Sequence, residues 1–227
     1  MHKVLVGLPT AVFVTAALMT ASPAGAAATH TLALWNMNEV PGSTTLVDSS
    51  GSGINGTIGD QVLLNGSYDS FWYGQQPNSQ HLDLVDSPLL NPGTRGYAVT
   101  VRFKGVLPNG NLLQKGQSGA IGGYFKIQLD SGGGRVLCTF VGLAGSGSVW
   151  SSTKVDDGLW HVVTCARTAT QVSVTVDERV VGVTAHATGR ISNTWPLSIG
   201  GKSQCNQVTV WCDYYTGQVD YVLIQTS

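Results

Sequence analysis

The chain has 227 residues, and its 12 Lys and Arg against 13 Asp and Glu give a formal net charge of −1. Charged residues make up only 11% of the sequence, and neither sign is gathered into a stripe or a tail. Nucleic acid and anionic membrane surfaces are therefore poor partners for this protein. Glycine, serine, threonine and valine dominate the composition, which is typical of β-sheets joined by many turns.

The N-terminal segment, residues 1–28, is predicted to be a signal peptide. It has a basic start, an apolar run from Val4 to Leu18, and small residues that offer cleavage after Ala26 or Ala28. The apolar run is shorter than the ~20 residues that a membrane-spanning helix needs. We therefore expect a secreted, extracellular protein without membrane insertion, whose mature part is one domain of residues 29–227.

Period-two alternation of apolar and polar residues is the main structural signal in the mature chain. Along Tyr124–Leu129, for example, Tyr124, Lys126 and Gln128 alternate with apolar residues. Gly-rich clusters separate such segments, and no helical period follows residue 28. The pattern predicts an all-β fold, an antiparallel two-sheet jelly-roll sandwich. The predicted strands are Thr31–Trp35, His81–Leu84, Tyr97–Lys104, Asn111–Gln114, Tyr124–Leu129, Arg135–Phe140, Trp160–Arg167, Gln171–Val176, Val180–Ala185, Pro196–Ile199 and Gln218–Gln225.

Four cysteines follow the predicted signal peptide: Cys138, Cys165, Cys205 and Cys212. An even number in an exported chain favours two disulfides, for which three pairings exist. The pairing Cys138–Cys165 and Cys205–Cys212 is favoured, because the first two cysteines lie in predicted strands and the last two flank a short loop. A zinc site is disfavoured, since the spacings are not C-x₂-C and no histidine accompanies either pair.

Several segments together resemble the laminin G-like domains of the concanavalin-A-like superfamily. They are Leu34–Glu39, Asp157-Gly158-Leu159-Trp160-His161, Leu197–Gly201 and Gly217–Val222. The resemblance implies a concanavalin-A-like jelly roll that serves mostly for binding. One departure is the tip of the hairpin after the valine strand, where such domains usually have Asp-Gly and this chain has Asp177-Glu178. Because glutamate is unfavourable at positive φ, we expect a different turn there.

The resemblance also implies a structural calcium ion, with Asp48 and Asp220 as its matching ligands. Asp220 shares strand parity with Val222 and Ile224, so its carboxylate is expected to point into the protein, where a charge needs a counter-ion or hydrogen bonds. Calcium prefers six to eight oxygen ligands, some of which the nearby loop can supply. The alternative is that Asp48 only braces its own Asx-turn, and that Asp220 accepts backbone N–H groups.

No catalytic residues are predicted. Trp160 is expected to pack in the core, with His161 on the opposite side of the strand bound to a neighbouring group, and no triad-like pattern surrounds that histidine. Glucanases on this fold carry E-x-D-x-x-E on one strand, which places two carboxylates close together. This chain has only Glu39 and Glu178 as glutamates, and it also lacks the Q-x-H strand of lyases on the same fold.

Aromatic residues in predicted loops are the candidate ligand-binding residues: Trp72, Tyr73, Trp211, Tyr214 and Tyr215. Sugar rings stack on aromatic planes, while neighbouring polar side chains bond their hydroxyls. The alternative is that these aromatics pack on the core. We predict a non-catalytic, lectin-like module for an extracellular carbohydrate or glycoprotein. The other hypotheses are a polysaccharide hydrolase or lyase, and a protein–protein or envelope-adhesion module.

Overall fold

A computed structural model describes residues 29–65, 70–73, 83–105, 110–130, 132–203 and 213–227. These residues form sixteen β-strands and one 3₁₀ turn, Pro88–Leu90. No helix among them is long and apolar enough to cross a membrane. The strands are β1 His30–Trp35, β2 Thr45–Leu46, β3 Gly56–Thr57, β4 Leu63–Asn65, β5 Ser70–Tyr73, β6 Asp83–Val85, β7 Tyr97–Gly105, β8 Gly110–Lys115, β9 Tyr124–Leu129, β10 Arg135–Gly142, β11 Gly145–Lys154, β12 His161–Arg167, β13 Val172–Val176, β14 Arg179–Thr184, β15 Leu197–Ile199 and β16 Gly217–Thr226.

The strands form two antiparallel sheets of eight strands each. Sheet A has the order β14-β13-β12-β7-β16-β5-β4, and β1 also pairs with β16. Sheet B has the order β11-β10-β9-β8-β15-β6-β3-β2. This arrangement confirms the predicted all-β jelly-roll sandwich.

The core lies between the sheets, and strand register decides which side chains enter it. In sheet B, one row of paired residues across β15, β8, β9, β10 and β11 points inward and is buried. The next row along the same strands is polar and points outward, because successive side chains of a strand alternate between faces. The inward row is Ile199, Leu113, Ile127, Cys138 and Val149, and the outward row is Ser198, Gln114, Lys126, Thr139 and Ser148.

A disulfide between Cys138 and Cys165 joins the two sheets across the core. Cys138 belongs to β10 and Cys165 to β12, and both side chains are buried. This half of the predicted pairing is confirmed. The second predicted pair, Cys205 with Cys212, lies outside the described residues.

The observed strands differ most from the prediction at β11. Gly145-Ser146-Gly147 is one of the Gly-rich clusters that were expected to separate strands, whereas the structure has a ten-residue strand there, Gly145–Lys154. A Cβ atom at Gly147 would lie 2.5 Å from Cγ2 of Val172 in the opposite sheet. That glycine therefore permits close approach of two strands rather than a change of direction.

The hairpin between β13 and β14 also differs from the prediction. Asp177 and Glu178 both have positive φ, 47° and 67°, so a glutamate does occupy the left-handed position. The Asp177 carboxylate compensates, since its Oδ1 accepts the Val162 N–H at 2.9 Å and its Oδ2 lies 2.8 Å from Nδ1 of His161. The hydrogen bonds between the Asp177 carboxylate and β12 therefore stabilise a turn that glutamate's poor tolerance of positive φ disfavours.

Replacing both Cys138 and Cys165 with alanine is expected to lower the free energy of unfolding by about 3–4 kcal/mol, since the bridge closes a loop of 27 residues. Urea unfolding of the oxidised protein and of the double variant measures this difference. Adding a reductant should lower the stability of the wild type by more than that of the double variant, in which only the predicted Cys205–Cys212 bridge is left to reduce. Free thiols at both positions in the folded protein would contradict the bridge.

Candidate functional site

A cleft on the outer face of sheet B brings together side chains from two strands and two loops. Its volume is ≈ 260 Å³. Gln114 of β8 stands opposite Lys126 of β9 in the outward row, and Tyr124 lies two residues earlier on the same face of β9. The loop 116–123 and the segment after β15 complete the walls. The residues that line this sheet B cleft are Gln114, Gln117, Ser118, Tyr124, Lys126 and Lys202.

Two glycines hold the 116–123 loop close to the sheet. Gly116 has a φ of 77°, and a Cβ there would lie 2.9 Å from Cβ of Tyr124. Gly123 has a φ of 85°, and a Cβ there would lie 2.0 Å from a backbone oxygen of β10. Because any larger residue would displace the chain at both positions, the loop's polar side chains are placed beside Tyr124 by backbone packing.

The floor of the sheet B cleft is a buried amide network. Asn111 Nδ2 donates to Gln114 Oε1 at 2.6 Å, and Gln114 Nε2 donates to the Gly116 carbonyl at 2.5 Å. Asn111 is fully buried, and its Oδ1 has no hydrogen-bond partner in the part of the chain that the structure describes. An unpaired buried acceptor costs about 1–3 kcal/mol. The network therefore fixes the amide of Gln114.

Lysines dominate the charge of the sheet B cleft. Lys126 Nζ donates to Gln128 Oε1 at 2.6 Å, and Lys202 Nζ lies 3.1 Å from a carboxylate oxygen of Asp213. Burial lowers the pKa of the Lys126 ammonium; Asp213 opposes this shift and Lys202 adds to it. Two ammonium groups and one carboxylate therefore act on the same small volume.

Tyr124 supplies the aromatic side of the cleft. Its side chain is half-buried, and burial raises the pKa of the phenol, so the hydroxyl keeps its proton at neutral pH. The described lining contains no carboxylate, whereas glycoside hydrolysis uses a pair of them. Amides, hydroxyls, an ammonium group and a ring suit reversible binding of a polar ligand.

Four of the aromatic residues predicted to bind a ligand lie within the described residues: Trp72, Tyr73, Tyr214 and Tyr215. Trp72 and Tyr73 belong to β5 and pair with β16, so the loop assignment was wrong for their backbone. Trp211 lies outside the described residues. Tyr214 and Tyr215 are buried, and the Tyr215 hydroxyl donates to backbone carbonyls of sheet A, so its ring packs in the core, as the alternative interpretation had it.

Asp48, the first predicted calcium ligand, is surrounded by donors. Its oxygens accept hydrogen bonds from the Leu34 N–H, from the N–H and hydroxyl of Ser50, and from the Ile54 N–H. Burial opposes the charged form, but these bonds outweigh it and lower the pKa of the carboxyl group. With its lone pairs directed at protein donors, the carboxylate matches the predicted Asx-turn brace better than a cation ligand.

Asp220, the second predicted calcium ligand, does not point inward as expected. A β-bulge between Val219 and Tyr221 interrupts the alternation, and the half-buried carboxylate forms an ion pair with Arg102 on the outer face of sheet A. No group of three or more His, Cys, Asp or Glu side chains within the described residues has a metal-binding arrangement. Both predicted ligands are therefore already engaged by donors of the protein itself.

We expect the melting temperature to be the same in calcium and in EGTA. Calcium that bound the folded state would raise the melting temperature by mass action, as any such ligand does. A calorimetric scan of the full chain in each buffer measures this. A calcium-dependent rise of several degrees would show that the folded protein binds the ion and would contradict this expectation.

Trp160 and His161 each face the side of the sheet that was predicted for the other. Trp160 is half-buried on the outer face, with the Arg102 guanidinium 4.5 Å from its ring centre, whereas His161 is buried. The expected neighbouring groups of His161 are present, since Asp177 lies 2.8 Å from Nδ1 and Asp157 lies 3.0 Å from Nε2. Both ring nitrogens can donate only in the imidazolium form, so the geometry favours a charged histidine.

The pKa of His161 sets a pH dependence of stability. Burial opposes the charge, but the hydrogen bonds that the ring donates to Asp177 and Asp157 outweigh it and raise the pKa of His161 above its ordinary value. The stabilisation is therefore fully present below the ordinary pKa of about 6.5 and is lost as the pH rises through the folded-state value. The pKa values of Asp157 and Asp177 are lowered, so both carboxylates stay charged at neutral pH. Their contribution to stability is lost only when the solution becomes acidic.

We expect the melting temperature to fall between pH 6 and pH 9 by several degrees more in the wild type than in the His161→Gln variant. The exposed His186 offers a matched control, and His186→Gln should follow the wild type. Thermal scans across this pH range test the difference. Identical pH profiles for wild type and His161→Gln would contradict the charged cluster.

The family model for the laminin G domain matches residues 103–226 of the chain. This stretch is more than half of the sequence and includes the sheet B cleft, and the chain belongs to the laminin G domain family. Comparison with curated proteins finds no match.

Solved structures with similar folds include binding domains. Domain 4 of AbnA, an extracellular arabinanase from Geobacillus stearothermophilus in complex with arabinotriose, matches with TM-score 0.62 and 12% identity over 88% of this chain and 93% of that chain. Domains LG4-5 of mouse laminin alpha1 match with TM-score 0.53 and 19% identity over 70% and 41%. The binding domain of botulinum neurotoxin DC in complex with SialylT matches with TM-score 0.58 and 12% identity over 86% and 46%.

At these identities the likeness is one of fold. This chain spans less than half the length of the laminin and neurotoxin chains that it matches.

The sheet B cleft was not predicted from the sequence. Alternation along β9 had placed Tyr124, Lys126 and Gln128 on one face, which the structure confirms. Nothing in that pattern indicated that Gln114 and Lys202 would meet this face. The available signal was a lysine and a tyrosine at outward positions of a central strand, between two glycine-rich loops.

Proposed function

We propose that this protein is a secreted, non-catalytic module that binds an extracellular carbohydrate or glycoconjugate in the sheet B cleft. One observation carries the proposal: a half-buried tyrosine ring stands beside a fixed set of amide, hydroxyl and ammonium groups in an open cleft. Sugars are recognised by such a combination, since C–H faces stack on rings and hydroxyls bond to polar groups.

The related folds support binding. The arabinanase domain was solved with arabinotriose and the neurotoxin domain with SialylT, so at least two proteins of this fold hold saccharide or sialylated ligands. Fold alone is weak support for function, and the proposal therefore depends on the chemistry of the cleft. Secretion is supported by the predicted signal peptide and by the disulfide, which persists in oxidising compartments.

A binding function is preferred to a polysaccharide hydrolase or lyase activity, because the described lining of the sheet B cleft contains no carboxylate. His161 is a buried residue of β12 in sheet A, where it bonds to Asp157 and Asp177, and it does not line the cleft. A polysaccharide panel incubated with the protein should yield no new reducing or unsaturated ends.

Substituting Tyr124 by alanine is expected to weaken glycan binding about three- to ten-fold, because it removes the stacking surface of the cleft. Glycan-array screening of the wild type identifies the ligand, and titration calorimetry of wild type and variant measures the loss. Trp150 is a matched control, since it is an exposed aromatic on β11 that does not line the cleft, and Trp150→Ala should bind as the wild type does.

Trp72→Ala and Trp211→Ala test the aromatic residues that the sequence predicted. Background signal across the array, unchanged by any of these substitutions, would contradict carbohydrate binding. Capture of one protein partner in its place would then favour the adhesion hypothesis.

A further inference from the structure

The electrostatics of the sheet B cleft are opposite in sign to those of the chain. The whole sequence has a formal net charge of −1. Around the cleft, by contrast, two lysines face one aspartate, and Lys202 already contacts that aspartate at 3.1 Å. The remaining positive charge belongs to Lys126.

Lys126 differs from the other polar residues of the outward row in being charged without a counter-ion. Among the described residues no carboxylate lies within ion-pair distance of its Nζ, and its one hydrogen bond there goes to the neutral amide of Gln128. Its ammonium is half-buried on a rigid central strand, where a charge without a partner is costly. An ammonium group has three donors, so the bond to Gln128 leaves others for a ligand.

We propose that the ligand residue held in the sheet B cleft is an acidic sugar, whose single carboxylate or sulfate pairs with the Lys126 ammonium. This inference rests on the proposed carbohydrate-binding function and adds the class of sugar. The anion would accept a charge-assisted hydrogen bond from Lys126, which is about twice as strong as a neutral one. Gln114 and Tyr124 on either side would bond and stack the rest of the ring.

The size of the cleft suits one such residue. Its ≈ 260 Å³ is below the roughly 300–1,000 Å³ of pockets that hold drug-sized ligands. An open cleft of this size accommodates about one sugar ring, or the end of a chain, and one ammonium without an ion-pair partner matches one anionic group. Polyanion binding along an extended surface would need a row of cations, which the outward row does not have.

The experiment compares each acidic sugar with its neutral counterpart. Titration calorimetry with trigalacturonate and its methyl ester tests the carboxylate, and lactose 6-sulfate with lactose tests the sulfate. The wild type is expected to bind one acidic member of a pair about tenfold tighter than its neutral counterpart, and 300 mM salt should reduce that preference. Lys126→Gln should abolish the preference, while Lys126→Arg keeps it.

Lys154→Gln is the control for charge, because Lys154 is exposed at the end of β11 and its removal changes the net charge by the same amount. Binding by this variant should match the wild type. Thermal scans establish that each variant is folded, and the salt dependence of the wild type provides a readout that needs no substitution.

The outcomes separate this inference from the function on which it rests. Equal affinity for acidic and neutral sugars, unaffected by salt or by Lys126→Gln, would overturn the acidic-sugar inference and leave carbohydrate binding in place. Loss of the preference in Lys154→Gln as well would show a long-range charge effect and overturn the role of Lys126. No binding to any probe or to the glycan array would overturn both proposals.

Discussion

The pairing register of β8, β9 and β10 is the constraint on which both the core and the candidate site depend. In this register Leu113, Ile127 and Cys138 share an inward row, and the next row along the strands faces outward. A slip of one residue would send every side chain of a strand to the other face. The bridge from Cys138 to Cys165 prevents such a slip in β10, because it ties that strand to the opposite sheet through the core.

The outward row becomes a site only where loops stand over it. Towards β11 the row ends at the exposed Ser148, whereas at β8 and β15 Gln114 and Ser198 are buried. The segment 213–215 covers that end, since the Asn111 N–H donates to the Asp213 carbonyl and the Tyr215 N–H to the Gly200 carbonyl. Lys126 lies between the buried Gln114 and Thr139 and is itself only half-buried, which leaves its ammonium where a ligand can reach it while water is partly excluded.

The sequence predicts those parts of the fold that depend on short-range pattern. The alternating strand Tyr124–Leu129 has the expected bounds, and Val172–Val176 begins one residue later than expected. The Cys138–Cys165 pair lies where two predicted strands allow it. The glycines of β11 suggested a turn. The sequence alone does not distinguish a glycine that allows two strands to approach closely from one that allows the chain to reverse direction. A single bulge at Val219/Tyr221 turned Asp220 outward, and strand parity contains no sign of it.

The candidate site was beyond prediction for a different reason. Its residues come from β8, β9, the 116–123 loop and the segment after β15, so they are distant in sequence and meet only through sheet order. The binding hypothesis was instead based on aromatic residues, yet Tyr215 packs in the core. Trp160, part of the most recognisable motif, stacks under Arg102, and His161 holds a turn. That motif identifies the family because its residues stabilise the fold.

The central claim is that the outer face of sheet B, at Lys126, is where ligand binds. Mapping backbone amide chemical shifts during titration with trigalacturonate, and in a second titration with lactose 6-sulfate, tests this directly, because it locates contact without any substitution. The account predicts that the largest changes fall on Gln114, Gln117, Tyr124, Lys126 and Lys202, with little change along sheet A. Changes centred on Arg102, Trp160 and Asp220, with none at Lys126, would contradict it.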